Sequence, residues 1–225
     1  MSSGSKRRPG APPELLGWQV DLLATVARSR LGASLVFGGG AALAAVYLHH
    51  RLSEDLDFFL EREVEPADLR PITRALTRQG ISVDQNVLGP RRSLVLSRNG
   101  RELGKVDLAY YPYAPIGRRP LWSRLRVESL IDMAVNKVQA ALTRTQARDL
   151  VDLYFLLQEG PERDLDRLLD LVRAKFDAGG DRLALASRLL MVREIRELPR
   201  LLRPVTREAL VAFFEDRARQ LVRRG

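Results

Sequence analysis

The run Ser53-Glu54-Asp55-Leu56-Asp57-Phe58-Phe59 sets two carboxylates one residue apart among apolar neighbours. Side chains alternate along a strand, so Asp55 and Asp57 share one face while Leu56 and Phe58 pack into the other. Two carboxylates on one face repel, and a divalent cation between them relieves the repulsion. Hard oxygen donors suit Mg²⁺, whose octahedron substrate phosphates complete. Taken alone, the pair reads as solvated acids on an exposed edge strand, and its context is what argues for a site. A third acid, Asp107, lies in the apolar run Lys105-Val106-Asp107-Leu108-Ala109. A strand there, beside the first, would make Asp55, Asp57 and Asp107 a converging set of metal ligands. Upstream, an apolar run ends in Gly38-Gly39-Gly40 and passes into an alanine-rich stretch. Strand, glycine turn and helix together offer backbone N–H groups and a helix N-terminus to phosphate.

A second constellation lies downstream. Lys137 stands in an otherwise apolar stretch of a chain with only Lys6, Lys105, Lys137 and Lys175 as lysines, and Arg144, Arg148, Asp149 and Asp152 follow it. On a helix Asp149 and Asp152 are neighbours, as are Arg144 and Arg148, beside an apolar stripe of Leu150, Leu153 and Leu157. Taken alone, the cluster reads as surface ion pairing. His49-His50 diverge as neighbours in an extended turn, which suits packing or phosphate contact better than metal binding.

The elements that must position these residues follow from periodicity. Apolar spacing predicts helices over residues 14–30, 41–47 and 66–79, and strands over 34–37, 55–60, 81–88, 93–97 and 103–111. Asn99-Gly100 marks a hairpin between the last two strands. Beyond Pro112, Pro115 and Pro120 only helices are expected, over 129–142, 146–158, 163–176, 184–197 and 207–222. The domain reading is a disordered tail 1–13, an α+β core 14–120 and a helical domain 121–225. Arg193, Arg196, Arg200, Arg203 and Arg207 would form a basic stripe if helical, but Pro199 and Pro204 interrupt it.

Composition narrows the class. The 225 residues, 45% apolar and 29% charged, suffice for a substantial core. Cysteine is absent, which excludes disulfides, thiolate metal sites and thiol nucleophiles. No apolar run reaches the roughly 18–20 residues of a membrane span, and residues 1–13 lack the apolar core of a signal peptide. A soluble cytoplasmic protein with no membrane partner is expected. The net charge of +9 rests almost wholly on arginine, whose planar fork suits phosphate.

Gly39-Gly40-Ala41-Ala42-Leu43, the segment from His50 through Arg51, Ser53, Asp55 and Asp57 to Phe59, Val106-Asp107-Leu108, and Lys137 through Arg144 to Arg148-Asp149-Leu150-Val151-Asp152-Leu153-Tyr154 together resemble the AbiEii/AbiGii-type toxin nucleotidyltransferases. The resemblance implies a polymerase-β-like nucleotidyltransferase core, a mixed sheet with helices, followed by a C-terminal helical domain. It implies an enzyme that moves a nucleoside monophosphate from an NTP to an acceptor hydroxyl with Mg²⁺. Some relatives modify the tRNA 3′ end, so RNA is the expected acceptor. The setting would be a toxin–antitoxin or phage-abortive system with a cognate antitoxin protein.

By the same resemblance Asp55 and Asp57 are metal carboxylates, Lys137 contacts the triphosphate, and Asp149 or Asp152 supplies the acids of the Arg-Asp-x-x-Asp motif. Gly39, Gly40, Arg51, Ser53 and Arg148 are expected at the nucleotide. Where the family carries Gly-Gly-Thr or Gly-Ser, this chain reads Gly39-Gly40-Ala41, or Gly38-Gly39-Gly40 one residue earlier, without the hydroxyl. The alternatives are therefore a non-catalytic nucleotide- or RNA-binding module with a degenerate site, and an antibiotic-type nucleotidyltransferase with a small-molecule acceptor.

Overall fold

The computed structural model describes residues 12–144, 146–177 and 181–223. All but the last two residues of the expected tail 1–13 lie outside them. The chain forms two compact units, Met1–Pro112 with Arg119–Glu128, and Tyr113–Arg118 with Ser129–Gly225.

The first unit is built on strands β1 (Val36–Gly38), β2 (Leu56–Leu60), β3 (Ser82–Leu88), β4 (Arg91–Arg98), β5 (Arg101–Tyr110), β6 (Leu121–Trp122) and β7 (Leu125–Val127). Among the described residues they make one mixed sheet in the order β3-β4-β5-β2-β1-β7-β6. Helices α1 (Gly17–Ala27) and α3 (Pro66–Thr77) pack against each other. Each buries an apolar stripe, Trp18, Leu22, Leu23 and Val26 on α1 and Leu69, Ile72, Ala75 and Leu76 on α3. Proline opens α3, where its missing N–H costs nothing, and Asp68 turns back to accept the Glu65 N–H at 2.9 Å.

Strand alternation divides the sheet chemically. Leu56, Phe58, Leu94, Val106 and Leu108 are fully buried on one face, and register pairing puts Asp57, Ser93, Lys105 and Asp107 on the other. Asn99 and Gly100 both have positive φ and close the β4–β5 hairpin as their sequence predicts. The β6–β7 hairpin is absent from the sequence reading. Its turn residues Ser123 and Arg124 also have positive φ but lack the Asn-Gly signature, and the strands are two and three residues long. β7 runs parallel to β1, so residues 119–128 belong to the first unit and the sequence boundary at Pro120 is displaced.

The second unit comprises α4 (Leu130–Thr143), α5 (Ala147–Glu159), α6 (Leu165–Phe176), α7 (Arg182–Leu190) and α8 (Arg207–Arg223). The helix expected over 184–197 stops early, passing into a tight turn at Met191–Glu194. The arginine stripe is therefore not a helix face. Arg193 pairs with Glu215 at 2.7 Å, Arg203 pairs with Glu159 and lies 4.6 Å from the Phe155 ring, and Arg207 donates to the Ile195 carbonyl at 2.8 Å. No helix among the described residues is long and apolar enough to cross a membrane.

Asp132 ties segment 113–118 into this unit. Its carboxylate accepts the Ile116 and Gly117 N–H groups, both at 3.0 Å, the Ser129 hydroxyl and the Lys175 ammonium at 2.6 Å. Both members of the ion pair are almost wholly buried. Burial pushes the Asp132 carboxyl up, but these donors outweigh it and hold the group below the usual carboxylate range. Asp132→Asn leaves a buried ammonium without its charge partner and should cost about 3–5 kcal/mol in urea unfolding. Adding Lys175→Met removes that orphan, so the double variant should recover part of the loss.

Candidate active site

Position 39 needs glycine on two counts. Its φ is +65°, in the left-handed region, and a Cβ there would stand 2.0 Å from Asp57 Oδ2. The Asp57 carboxylate thus rests directly on the backbone where β1 enters helix α2 (Gly39–Ala42). That helix continues as a wider π-type turn, Leu43–Leu48, closed by His49 in the left-handed conformation. At Gly40 a Cβ would meet Arg51 Nη2 at 2.3 Å and Ser53 Oγ at 3.6 Å. Arg51 and Ser53 are themselves buried. The Gln19 amide donates to the Ser53 carbonyl at 3.0 Å, and the Ser53 N–H donates to the Glu14 carbonyl at 3.1 Å, fixing the segment that leads into β2.

Asp57 and Asp107 are register partners on the adjacent parallel strands β2 and β5. Their side chains therefore share a sheet face at neighbouring positions. Asp107 is buried and well held, accepting from the Ser93 hydroxyl and from Lys105 Nζ at 3.0 Å, with Arg91 Nη1 at 3.7 Å. Asp55 precedes β2 and behaves differently. Its Oδ1 accepts the Lys105 backbone N–H at 3.2 Å, a close approach that Gly104 permits because a Cβ there would sit 2.3 Å from the Glu54 carbonyl. Among the described residues no three His, Cys, Asp or Glu side chains are gathered as a ready metal cage. The expected convergence of three acids thus reduces to Asp57 beside Asp107, with Asp55 engaged at the edge of β5.

Lys105, Arg91 and Ser93 escaped the sequence reading. The spacing Lys105-x-Asp107 carried the signal, since residues two apart on a strand share a face. Of the two histidines, His49 bonds Glu14 Oε1 through Nδ1 at 2.8 Å and His50 is buried, so they diverge.

The second unit holds the other constellation. Lys137 Nζ on α4 lies 2.8 Å from Asp149 Oδ1 and 2.7 Å from Asp152 Oδ2 on α5. Arg144 Nε reaches Asp149 Oδ2 at 2.8 Å, and Arg148 Nε donates to the Gln146 side chain at 2.9 Å. Lys137, Asp149 and Asp152 are all buried. The reading as surface ion pairing is corrected, because the apolar flank of α5 takes the acids inward and the lysine neutralises them there. Burial pushes Asp149 up, but Lys137 and Arg144 prevail and hold its carboxyl below the ordinary value.

The mixed sheet and the helices that follow it have counterparts among solved structures. The solved structure of JHP933 from Helicobacter pylori is similar at 19% identity and a TM-score of 0.58, over 92% of this chain and 90% of that one. The nucleotidyltransferase toxin MenT4 from Mycobacterium tuberculosis is similar at 18% identity and a TM-score of 0.58, over 91% and 81%. No curated protein sequence matches significantly. Residues 21–222 match the family described as nucleotidyl transferase AbiEii toxin of type IV toxin–antitoxin systems, and the chain belongs to that family. It is therefore a nucleotidyltransferase, and membership implies nucleotide substrates and an antitoxin counterpart.

Two outcomes follow from this geometry. Gly39→Ala must strain the backbone and displace the Asp57 carboxylate, so nucleotide incorporation should fall at least tenfold with a stability loss of about 1–3 kcal/mol in thermal melts. Because the folded pKa of Asp149 lies below its unfolded value, its contribution is complete above about pH 4 and is lost as acid titrates the folded carboxyl. The melting-temperature gap between the wild type and Asp149→Asn should therefore hold from pH 7 to about pH 4 and narrow only below that.

Proposed function

We propose that the chain transfers a nucleoside monophosphate from an NTP to an acceptor hydroxyl on RNA, such as the tRNA 3′ end, with Mg²⁺ held by Asp57 and Asp107. The observation that carries this reading is the Asp57–Asp107 register pair, with Asp57 lying against Gly39 and with Arg51 and Ser53 beside Gly40. The donor set suits the ion, since Mg²⁺ commonly takes one or two carboxylates and leaves its other positions to water and phosphate. When bound, it would neutralise charge on the phosphates and the attacking oxygen.

The chain's own groups do the remaining work. Gly39 and Gly40 let the phosphates approach the backbone, and the Arg51 guanidinium at Gly40 supplies positive charge there. The acceptor hydroxyl attacks the α-phosphorus, a P–O bond forms as the α–β bridging bond breaks, and pyrophosphate leaves. The carboxylate face takes up the hydroxyl proton. In the second unit Asp149 and Asp152 hold the Lys137 ammonium, the group that the resemblance assigns to the triphosphate together with Arg148. Lys137 also carries a structural load, because Lys137→Ala would leave Asp149 and Asp152 buried without the lysine. That variant should lose about 3–5 kcal/mol.

A second reading, a nucleotide- or RNA-binding module without turnover, draws on Asp107 being already bonded by Lys105 and Ser93. The test incubates the purified chain with Mg²⁺, bulk tRNA and each α-labelled NTP in turn. The proposal expects label in RNA and a loss of about a hundredfold or more in Asp57→Asn and Asp107→Asn. Melting temperature of Asp57→Asn without metal should stay equal or rise, since one of the two repelling carboxylates, Asp57 and Asp107, is gone. NTP binding with no incorporation selects the second reading. Destabilised variants that incorporate normally reject the metal carboxylates.

A further inference from the structure

Most arginines of the first unit that lie near acids are used by them. Arg62 makes two bonds to Asp68, and Arg119 pairs with Glu61. Arg70, Arg74 and Arg78, four residues apart along α3 and at its C-terminal end, are exposed and have no acidic partner among the described residues. They line a groove of about 660 Å³ with Pro66, Leu69, Thr73, Thr77 and Gln85. A helix rises roughly 1.5 Å per residue, so successive guanidiniums step about 6 Å along the axis, comparable to the spacing of phosphates along one nucleic-acid strand. Thr73 and Thr77 interleave hydroxyls between the charges at the same period. Gln85 adds an amide from β3, the edge strand of the sheet.

We infer that this α3–β3 groove binds the sugar–phosphate backbone of the RNA acceptor, an assignment that rests on the acceptor being RNA. Three like charges at helical spacing repel one another unless an anion lies along them, and no acid among the described residues pairs with them. Arg98 carries the positive track past the end of α3, donating to the Gln79 carbonyl at 3.0 Å. From β3 to β2 the sheet crosses three strand intervals, about 15 Å, a span of a few nucleotides. The groove can thus hold the body of an RNA whose end reaches Asp57 around the β3 edge. Arginine forks on phosphate fix register and affinity without reading sequence.

The probe is end-labelled bulk bacterial tRNA, titrated by fluorescence anisotropy at several salt concentrations against the full chain and its Arg70→Ala/Arg74→Ala/Arg78→Ala variant. All three side chains are exposed, so circular dichroism melts should coincide. The affinity of the variant should fall at least tenfold, and the slope of log K against log salt should shrink by about 2, as three lost phosphate contacts require. KM for RNA in the labelling assay should rise while KM for the NTP holds. Wild-type affinity and slope in the variant would overturn the groove alone. A wild type that binds no tRNA would overturn both the groove and the RNA acceptor. Displacement of tRNA by poly-glutamate at equal charge would mark a plain polyanion surface and overturn the assignment to nucleic acid.

Discussion

Asp57 and Asp107 stand side by side on neighbouring parallel strands, and two carboxylates in that position repel across a single strand interval. Much of the first unit answers that constraint. Asp107 is surrounded by Ser93, Lys105 and Arg91, so its charge is balanced within the sheet. Asp57 instead packs on the Gly39–Gly40 turn, where the missing side chain of Gly39 leaves room for its carboxylate. Asp107 is thus held within the sheet, and Asp57 at the backbone that follows β1.

The second unit meets an analogous problem with burial. Asp149 and Asp152 lie deep on α5, and the Lys137 ammonium bridges them from α4, so the charges compensate where water cannot. Asp132 and Lys175 repeat the device, joining segment 113–118 to α4 and α6. Such pairs are weak sources of net stability but severe to break, because removing one partner strands the other in a low-dielectric interior. They act as registration points between elements. Lys137 therefore carries a structural and a proposed chemical duty at once.

Three of the four lysines, Lys105, Lys137 and Lys175, are paired with aspartates. The compact ammonium serves inside pairs, and arginine supplies the exposed positive surface. The basic composition is therefore not uniform in meaning. Arg193, Arg203 and Arg207 brace the helical unit, whereas the α3 arginines face outward without acids.

The sequence by itself determined the α+β order of elements, the β4–β5 hairpin at Asn99-Gly100, the glycine turn, and the placing of Asp57 on the polar face of its strand. These depend on side-chain period and on turn conformations that few residues tolerate, and both are local properties. The motif order also carried the family resemblance. Tertiary structure alone decided that Asp107 falls in register with Asp57, because strand pairing joins residues fifty positions apart and no local signal encodes register. It decided that Asp55 turns to the Lys105 amide, that β7 returns residues 119–128 to the first sheet, and that the Lys137 cluster is buried. Burial depends on what packs over a face, and the sequence of one helix records only which of its faces is apolar.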